Sequence, residues 1–183
     1  MRKKVLVTGG GGLVGSSIER LAPNHEYDFV FTTRKDGDLC VERDVKNIFL
    51  KYQPDYVIHT AAKVGGIGGN LAAQADFFYQ NLLMNAYVIH HAAVSGVEKF
   101  FAFTSVCVFP DGKEMEENNM HAGPPFQDNF AYAHAKRMVD VQIRAYKDQY
   151  KAKNYCSIIP GNIFGENDLF NLESGHVIPS LIH

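Results

Sequence analysis

Tyr132 and Lys136 stand four residues apart in a stretch, residues 128–150, where Tyr132, Lys136, Val139, Ile143, Tyr146 and Tyr150 recur at spacings of four and three. That spacing predicts a helix carrying both groups one turn apart, on the face turned to the protein body. A free tyrosine hydroxyl ionises near pH ~10. A neighbouring ammonium stabilises the phenolate and brings proton transfer closer to working pH. Upstream, an apolar run over residues 99–104 predicts a strand ending in Ser105-Val106-Cys107. A serine hydroxyl there hydrogen-bonds a carbonyl oxygen, tyrosine gives or takes the proton, and lysine tunes the tyrosine and holds a ribose. Carbonyl reduction by a nicotinamide needs such a set. A bare Tyr-x-x-x-Lys spacing is common in helices, so its weight comes from the elements around it. Cys107, taken alone, reads either as a small packing thiol or as a proton-transfer group.

Groups of this kind need a cofactor platform, and the N-terminal stretch has the pattern of one. Residues 3–8 form a short valine-rich run that reads as a buried parallel strand, and residues 16–21 suit a helix. Between them Gly9, Gly12 and Gly15 fit G-x-x-G-x-x-G, with Gly10 and Gly11 as additional glycines. The first glycine permits the tight turn, the second lets a pyrophosphate approach the backbone, and the third lets helix and strand pack closely. The helix start then offers unpaired N–H groups to the phosphates.

The remaining elements follow in alternation. A strand over residues 27–33 runs into Arg34-Lys35. Basic residues there suit the 2′-phosphate of NADP, although Asp36 and Asp38 leave NAD open and the two bases also read as solvated loop charges. A helix over 44–51 is capped by Asp44, and a strand over 55–59 leads into small residues at 61–69, which suit close approach of a cofactor. Lys63 among them reads as a surface lysine. Residues 70–95 give the longest helical pattern, with Leu71, Ala75, Phe78, Leu82, Ile89 and Ala93 as one stripe and Tyr79, Leu83 and Tyr87 as a second apolar flank. One stripe faces the sheet; the other suits a subunit partner. Asn81 on this helix is either a plain polar residue or a buried anchor. Residues 110–127 form a long loop, Asp128 caps the next helix, a strand spans 153–159, and 176–183 are opening turns of another helix. This order predicts an α/β chain, a Rossmann-type doubly wound parallel sheet with helices on both faces.

A chain of 183 residues with 46% hydrophobic content can bury one substantial core. A net charge of −2 without charged runs argues against nucleic acid as a partner. Cys40, Cys107 and Cys156 are odd in number with no C-x-x-C, which points to a reducing compartment without structural disulfide or metal. No stretch reaches the roughly 18 apolar residues of a membrane span. The expectation is a soluble cytoplasmic protein.

Together the motifs resemble the extended short-chain dehydrogenase/reductases that act on nucleotide sugars, and within them the GDP-L-fucose synthase family. The resemblance spans essentially the whole chain and rests on Ala61-Ala62-Lys63-Val64-Gly65-Gly66-Ile67, Ser105-Val106-Cys107-Val108-Phe109-Pro110, Tyr132-Ala133-His134-Ala135-Lys136 and Gly175-His176-Val177-Ile178-Pro179. It implies NADPH-dependent 3,5-epimerisation and 4-reduction of GDP-4-keto-6-deoxy-D-mannose to GDP-L-fucose. Catalytic roles would fall to Ser105, Cys107, Tyr132, Lys136 and His176, with Cys107 and His176 as base and acid at C3 and C5. Related sugar 4,6-dehydratases carry Asp-Glu where this chain has Val106-Cys107. Contacts to NADP(H) would come from Gly9, Gly10, Gly11, Gly12, Leu13, Val14, Gly15, Arg34, Thr104, Ser105, Lys136, Pro160, Gly161, Asn162, Ile163 and His176. The partners implied are a GDP-sugar and a second copy of the chain, paired through residues 70–95 and 128–150. Two departures stand out: Gly161 where the family has a small polar residue, and Asp168-Leu169-Phe170 where it commonly has Asp-Asn-Phe. Family members continue well over a hundred residues further. Residues 1–165 are therefore expected to bind the dinucleotide and residues 166–183 to begin a substrate-binding region, most of it beyond the chain. Other readings are a different NAD(P)-dependent nucleotide-sugar epimerase or reductase, and a non-catalytic NADP-binding module, which the stop at His183 motivates.

Overall fold

The computed structural model describes residues 2–168, 170 and 177–182. Five parallel strands, β1 (Lys4–Thr8), β2 (Asp28–Thr32), β3 (Tyr56–His59), β4 (Lys99–Phe103) and β5 (Tyr155–Ile158), form one sheet in the order β2-β1-β3-β4-β5. The helices are α1 (Leu13–Leu21), α2 (Glu42–Tyr52), α3 (Ile67–Ala72), α4 (Gln74–Val94), α5 (Phe130–Tyr150) and α6 (Val177–Ile182). The chain steps from β1 to β2 in one direction and then back across β1 to β3. Right-handed crossovers therefore put α1 on one face and α2, α4 and α5 on the other. This is the doubly wound architecture expected, and its point of reversal lies between β1 and β3, where such sheets bind ligands at the strands' C-terminal ends.

Period-two alternation decides which strand residues face the larger helical layer. Leu6, Val57, Phe100 and Tyr155 are register partners along one row across the sheet, all of them buried. They meet Val45, Ile48 and Phe49 of α2, Val88, Ile89 and Ala92 of α4, and Val139 and Ile143 of α5 in one core. α4 and α5 share the most extensive helix–helix contact. Tyr155, though deep in this core, satisfies its hydroxyl by donating to the Val97 carbonyl at 3.1 Å.

Several local expectations need correction. Residues 70–95 are two helices rather than one, since Ala73 leaves the helical region at φ −140°. The buried face of α4 runs through Phe77, Asn81, Asn85, Val88 and Ala92, whereas Leu71, Phe78 and Tyr79 are exposed. Counting only apolar residues missed this face because two of its positions are asparagines with buried partners. The N-cap of α2 is Val41, with Asp44 inside the first turn; that of α5 is Asn129, while Asp128 is exposed. α1 begins at Leu13, three residues earlier than its apolar spacing shows, because Gly15 sits within it.

Candidate active site

The C-terminal ends of the strands open into a cleft of about 1050 Å³. Its floor is the turn between β1 and α1. Gly9 has φ +75°, and a Cβ there would stand 2.7 Å from the Ala61 backbone, so only glycine meets both demands. A Cβ on Gly15 would collide with the Gly9 carbonyl oxygen. Gly9, Gly11, Gly12, Leu13 and Val14 line the cleft, whereas Gly10 and Gly15 are buried in the packing of the turn. Gly12 is the N-cap of α1 and brings no side chain to compete for the helix's first N–H groups. A turn pressed to backbone distance below an uncapped helix start has the geometry that can receive a pyrophosphate.

At one end of the cleft lie Arg34 and Lys35, just past β2. The acidic neighbours are otherwise engaged. Asp36 accepts from the Thr33 backbone N–H at 2.9 Å and from the Tyr52 hydroxyl at 3.0 Å. Thr33 first, and Tyr52 with it, hold this carboxyl below the ordinary range against a burial cost. Asp38 lines the cleft, with one oxygen accepting from the Cys40 N–H at 2.9 Å. Leu39, Cys40, Asp76, Tyr79 and Gln80 complete this end. Sequence reasoning missed them, because Leu39 and Cys40 lie in the loop before α2 and Asp76, Tyr79 and Gln80 in the first turns of α4, where no spacing marks the cleft.

At the other end, Thr104 and Ser105 leave β4 and face Tyr132 and Lys136 of α5. The Ser105 hydroxyl accepts from the Cys107 N–H at 3.4 Å and lies beside the Tyr132 phenol in the cleft lining. Lys136 is buried and donates from Nζ to the Phe103 carbonyl at 2.9 Å, 5.8 Å from the Tyr132 ring centre. Burial pushes this lysine down to about 8. Burial, and then the charge of Cys107, raises the Tyr132 phenol above its ordinary value, while the Ser105 hydroxyl works the other way. The expected lowering by Lys136 is therefore absent: the ammonium is turned to a backbone carbonyl, and Ser105 is the group that favours the phenolate.

Cys107 is half-buried on a 3₁₀ turn, Val106–Val108, two residues from Ser105 and outside the cleft lining. Its carbonyl accepts from Phe126 N at 3.2 Å, and its sulfur from Asn129 Nδ2 at 3.4 Å. Arg137 braces the same turn, donating Nε to Val108 O and Nη1 to Gly123 O, each at 2.7 Å. Neither Asn129 nor Arg137 was singled out from the sequence. Pro160, Gly161, Asn162 and Ile163 form a third wall. The segment after them is fastened to α1 by an Arg20–Glu166 ion pair and by Asn167 Nδ2 donating to Ser16 Oγ at 2.9 Å. His176 lies outside the described residues.

Behind the cleft, His59 is fully buried between Thr8 Oγ1 at 2.6 Å from Nδ1 and Asn85 Oδ1 at 3.0 Å from Nε2. Burial, then the Lys136 charge, pushes it down to about 3, against the Asn85 hydrogen bond, so it is neutral. Asn81 is the buried anchor left open above: it binds the Lys63 backbone. Among the described residues no three metal-ligating side chains gather, and no helix is long and apolar enough to cross a membrane.

Residues 5–183 match the model of the NAD dependent epimerase/dehydratase family. The chain belongs to that family. Among its relatives are a probable GDP-L-fucose synthase of Drosophila melanogaster, 43% identical over 99% of this chain and 58% of its own, and a GDP-L-fucose synthase of Dictyostelium discoideum, 41% identical over 100% and 58%. A crystal structure of a GDP-L-fucose synthetase from Naegleria fowleri bound to NADP superposes with a TM-score of 0.90 at 40% identity, over 99% of this chain and 57% of that one. Within the family the chain is thus GDP-L-fucose synthase-like, and it spans about 58% of the length of the curated relatives it matches.

Proposed function

We propose that the protein binds NADP(H) and carries out 3,5-epimerisation and 4-reduction of GDP-4-keto-6-deoxy-D-mannose to GDP-L-fucose. The observation that carries this reading is one constellation beside the glycine cradle: Ser105, Tyr132 and Lys136 lining the same cleft, with Cys107 two residues from Ser105 on the adjoining turn. Relatives named GDP-L-fucose synthase support the substrate assignment. In this reading residues 1–165 hold the cofactor and residue 166 begins the sugar-nucleotide region.

The cradle fits a dinucleotide, with Gly12, Leu13 and Val14 at its pyrophosphate, Arg34 and Lys35 at an adenosine 2′-phosphate, and Lys136 at a ribose. A nicotinamide held there would supply hydride to C4. Ser105 holds the C4 oxygen by a hydrogen bond, and Tyr132, raised and therefore protonated, gives that oxygen its proton. Removing a proton from C3 or C5 leaves an enolate whose charge falls on the same oxygen, so Ser105 and Tyr132 stabilise both steps. Cys107 takes the carbon-bound proton as thiolate, and His176 returns one from the opposite face of the ring, which inverts the centre.

The test separates the steps in the full-length protein. Tyr132→Phe should slow reduction by roughly two to four powers of ten, while deuterium uptake from solvent at C3 and C5 largely survives. Cys107→Ser should abolish the uptake. Exchange at the unmutated rate in Cys107→Ser would make the thiol a packing residue and leave a simple 4-reductase.

A further inference from the structure

Asn129 occupies the N-cap of α5, a position where asparagine ordinarily turns its side-chain oxygen onto the helix's free N–H groups. Here it caps nothing. Its Nδ2 donates to Cys107 Sγ at 3.4 Å, and its Oδ1 is shielded from water without a partner. A residue that forgoes its own cap and leaves an acceptor unsatisfied breaks two local rules at once, which is the pattern of a functional position. The surrounding backbone completes the arrangement. Asn129 N donates to Phe126 O at 3.3 Å, and Phe126 N donates to Cys107 O at 3.2 Å, so residues 126–129 wrap the cysteine.

We infer that Asn129 is a positioning residue for Cys107: its amide N–H fixes the sulfur and favours the thiolate over the thiol. The inference rests on the reading of Cys107 as a proton acceptor. A donor directed at sulfur stabilises the charged form. Of titratable groups, Tyr132 on α5 couples to Cys107, and the Arg137 guanidinium on the same helix is turned away to the Val108 and Gly123 carbonyls. The amide is thus the donor the fold supplies to the thiolate. Because Asn129 makes no cap, replacing it costs α5 no capping bond.

The experiment follows alkylation of Cys107 by iodoacetamide, read by peptide mass spectrometry from pH 6 to 10, in the full-length protein and in Asn129→Ala and Asn129→Asp. In Asn129→Ala the profile should move upward by about one pH unit, with alkylation at pH 7 slowed about three- to tenfold. Asn129→Asp keeps the shape, removes the donor and adds a charge, so its shift should be larger. NADPH affinity should stay unchanged in both. Profiles that coincide with the unmutated protein in the two variants overturn the inference. This readout needs no turnover: unmoved profiles beside lost exchange in Cys107→Ser sink Asn129 alone, whereas moved profiles beside normal exchange in Cys107→Ser sink the catalytic reading of Cys107.

Discussion

Asn81 grips the Lys63 backbone with both ends of its amide: Oδ1 accepts from Lys63 N and Nδ2 donates to Lys63 O, each at 3.0 Å. The second amide hydrogen goes to Phe77 O at 2.7 Å, so the side chain is fully satisfied although wholly buried. The loop it holds, from Thr60 to Val64, is a wall of the cleft. Asn81→Ala strands two backbone groups and should cost about 2–4 kcal/mol in urea unfolding. NADPH affinity should fall with it by about tenfold or more, 1.4 kcal/mol being roughly one decade. An unchanged unfolding midpoint with unchanged affinity would show that the loop holds itself.

His59 predicts how stability responds to acid. Its folded value of about 3 lies below the ~6.5 of an unfolded histidine. Between these limits the unfolded chain binds a proton that the native state refuses. The stabilisation is therefore complete above pH ~6.5 and is lost progressively as pH falls toward ~3. From pH 7.5 to 5.0 the unmutated protein should lose about 2 kcal/mol more than His59→Gln. Equal losses in the two proteins, measured by urea titration, would mean that another group sets the acid limb.

Arg34 and Lys35 line the cleft while Asp36 is bound to Thr33 and Tyr52. These two bases, unpaired among the described residues, suit a 2′-phosphate, and Asp36 is not available to a ribose 2′-hydroxyl. NADPH should bind at least tenfold more tightly than NADH, a ratio that Arg34→Asp narrows or reverses. Equal dissociation constants in the unmutated protein would refute the preference.

Assembly is our last expectation. Beside their shared contact, α4 exposes Phe78, and α5 exposes Met138 and Val141. These helices are proposed to pair with their copies in a homodimer. Tyr87, expected on that outer flank, packs partly against the core instead. Light scattering at micromolar concentration should give twice the chain mass, and Val141→Glu should give a monomer. A monomer without the substitution would remove the proposal.

Much of this could be read from the sequence, for reasons that differ by residue. The glycine turn was legible because Gly9 and Gly15 sit where any side chain strikes backbone, so the residue type is nearly forced. Tyr132 and Lys136 were legible because helical spacing puts them on one face. The buried stripe of α4 was not, since Asn81 and Asn85 find their hydrogen-bond partners 18 and 26 positions away. The acidity of Tyr132 was misjudged for a similar reason. Its neighbour's direction depends on Phe103 O, a contact 33 residues distant that no local pattern encodes. The cap of α5 slipped by one residue because Asp128 and Asn129 are equally plausible until the backbone is seen.

The bracing of the turn at Val106–Val108 has a mechanical consequence. Ser105 and Cys107 share that one turn, which Phe126 and Arg137 hold from outside, and Tyr132 and Lys136 share one helix. Arg137 joins the two, so the hydroxyl, the thiol and the phenol are carried on one braced unit, built as a jig. In the proposed reaction a ligand with several reacting carbons would present them by rotation or by release and return, and its residence time in the cleft would become as consequential as any single proton transfer.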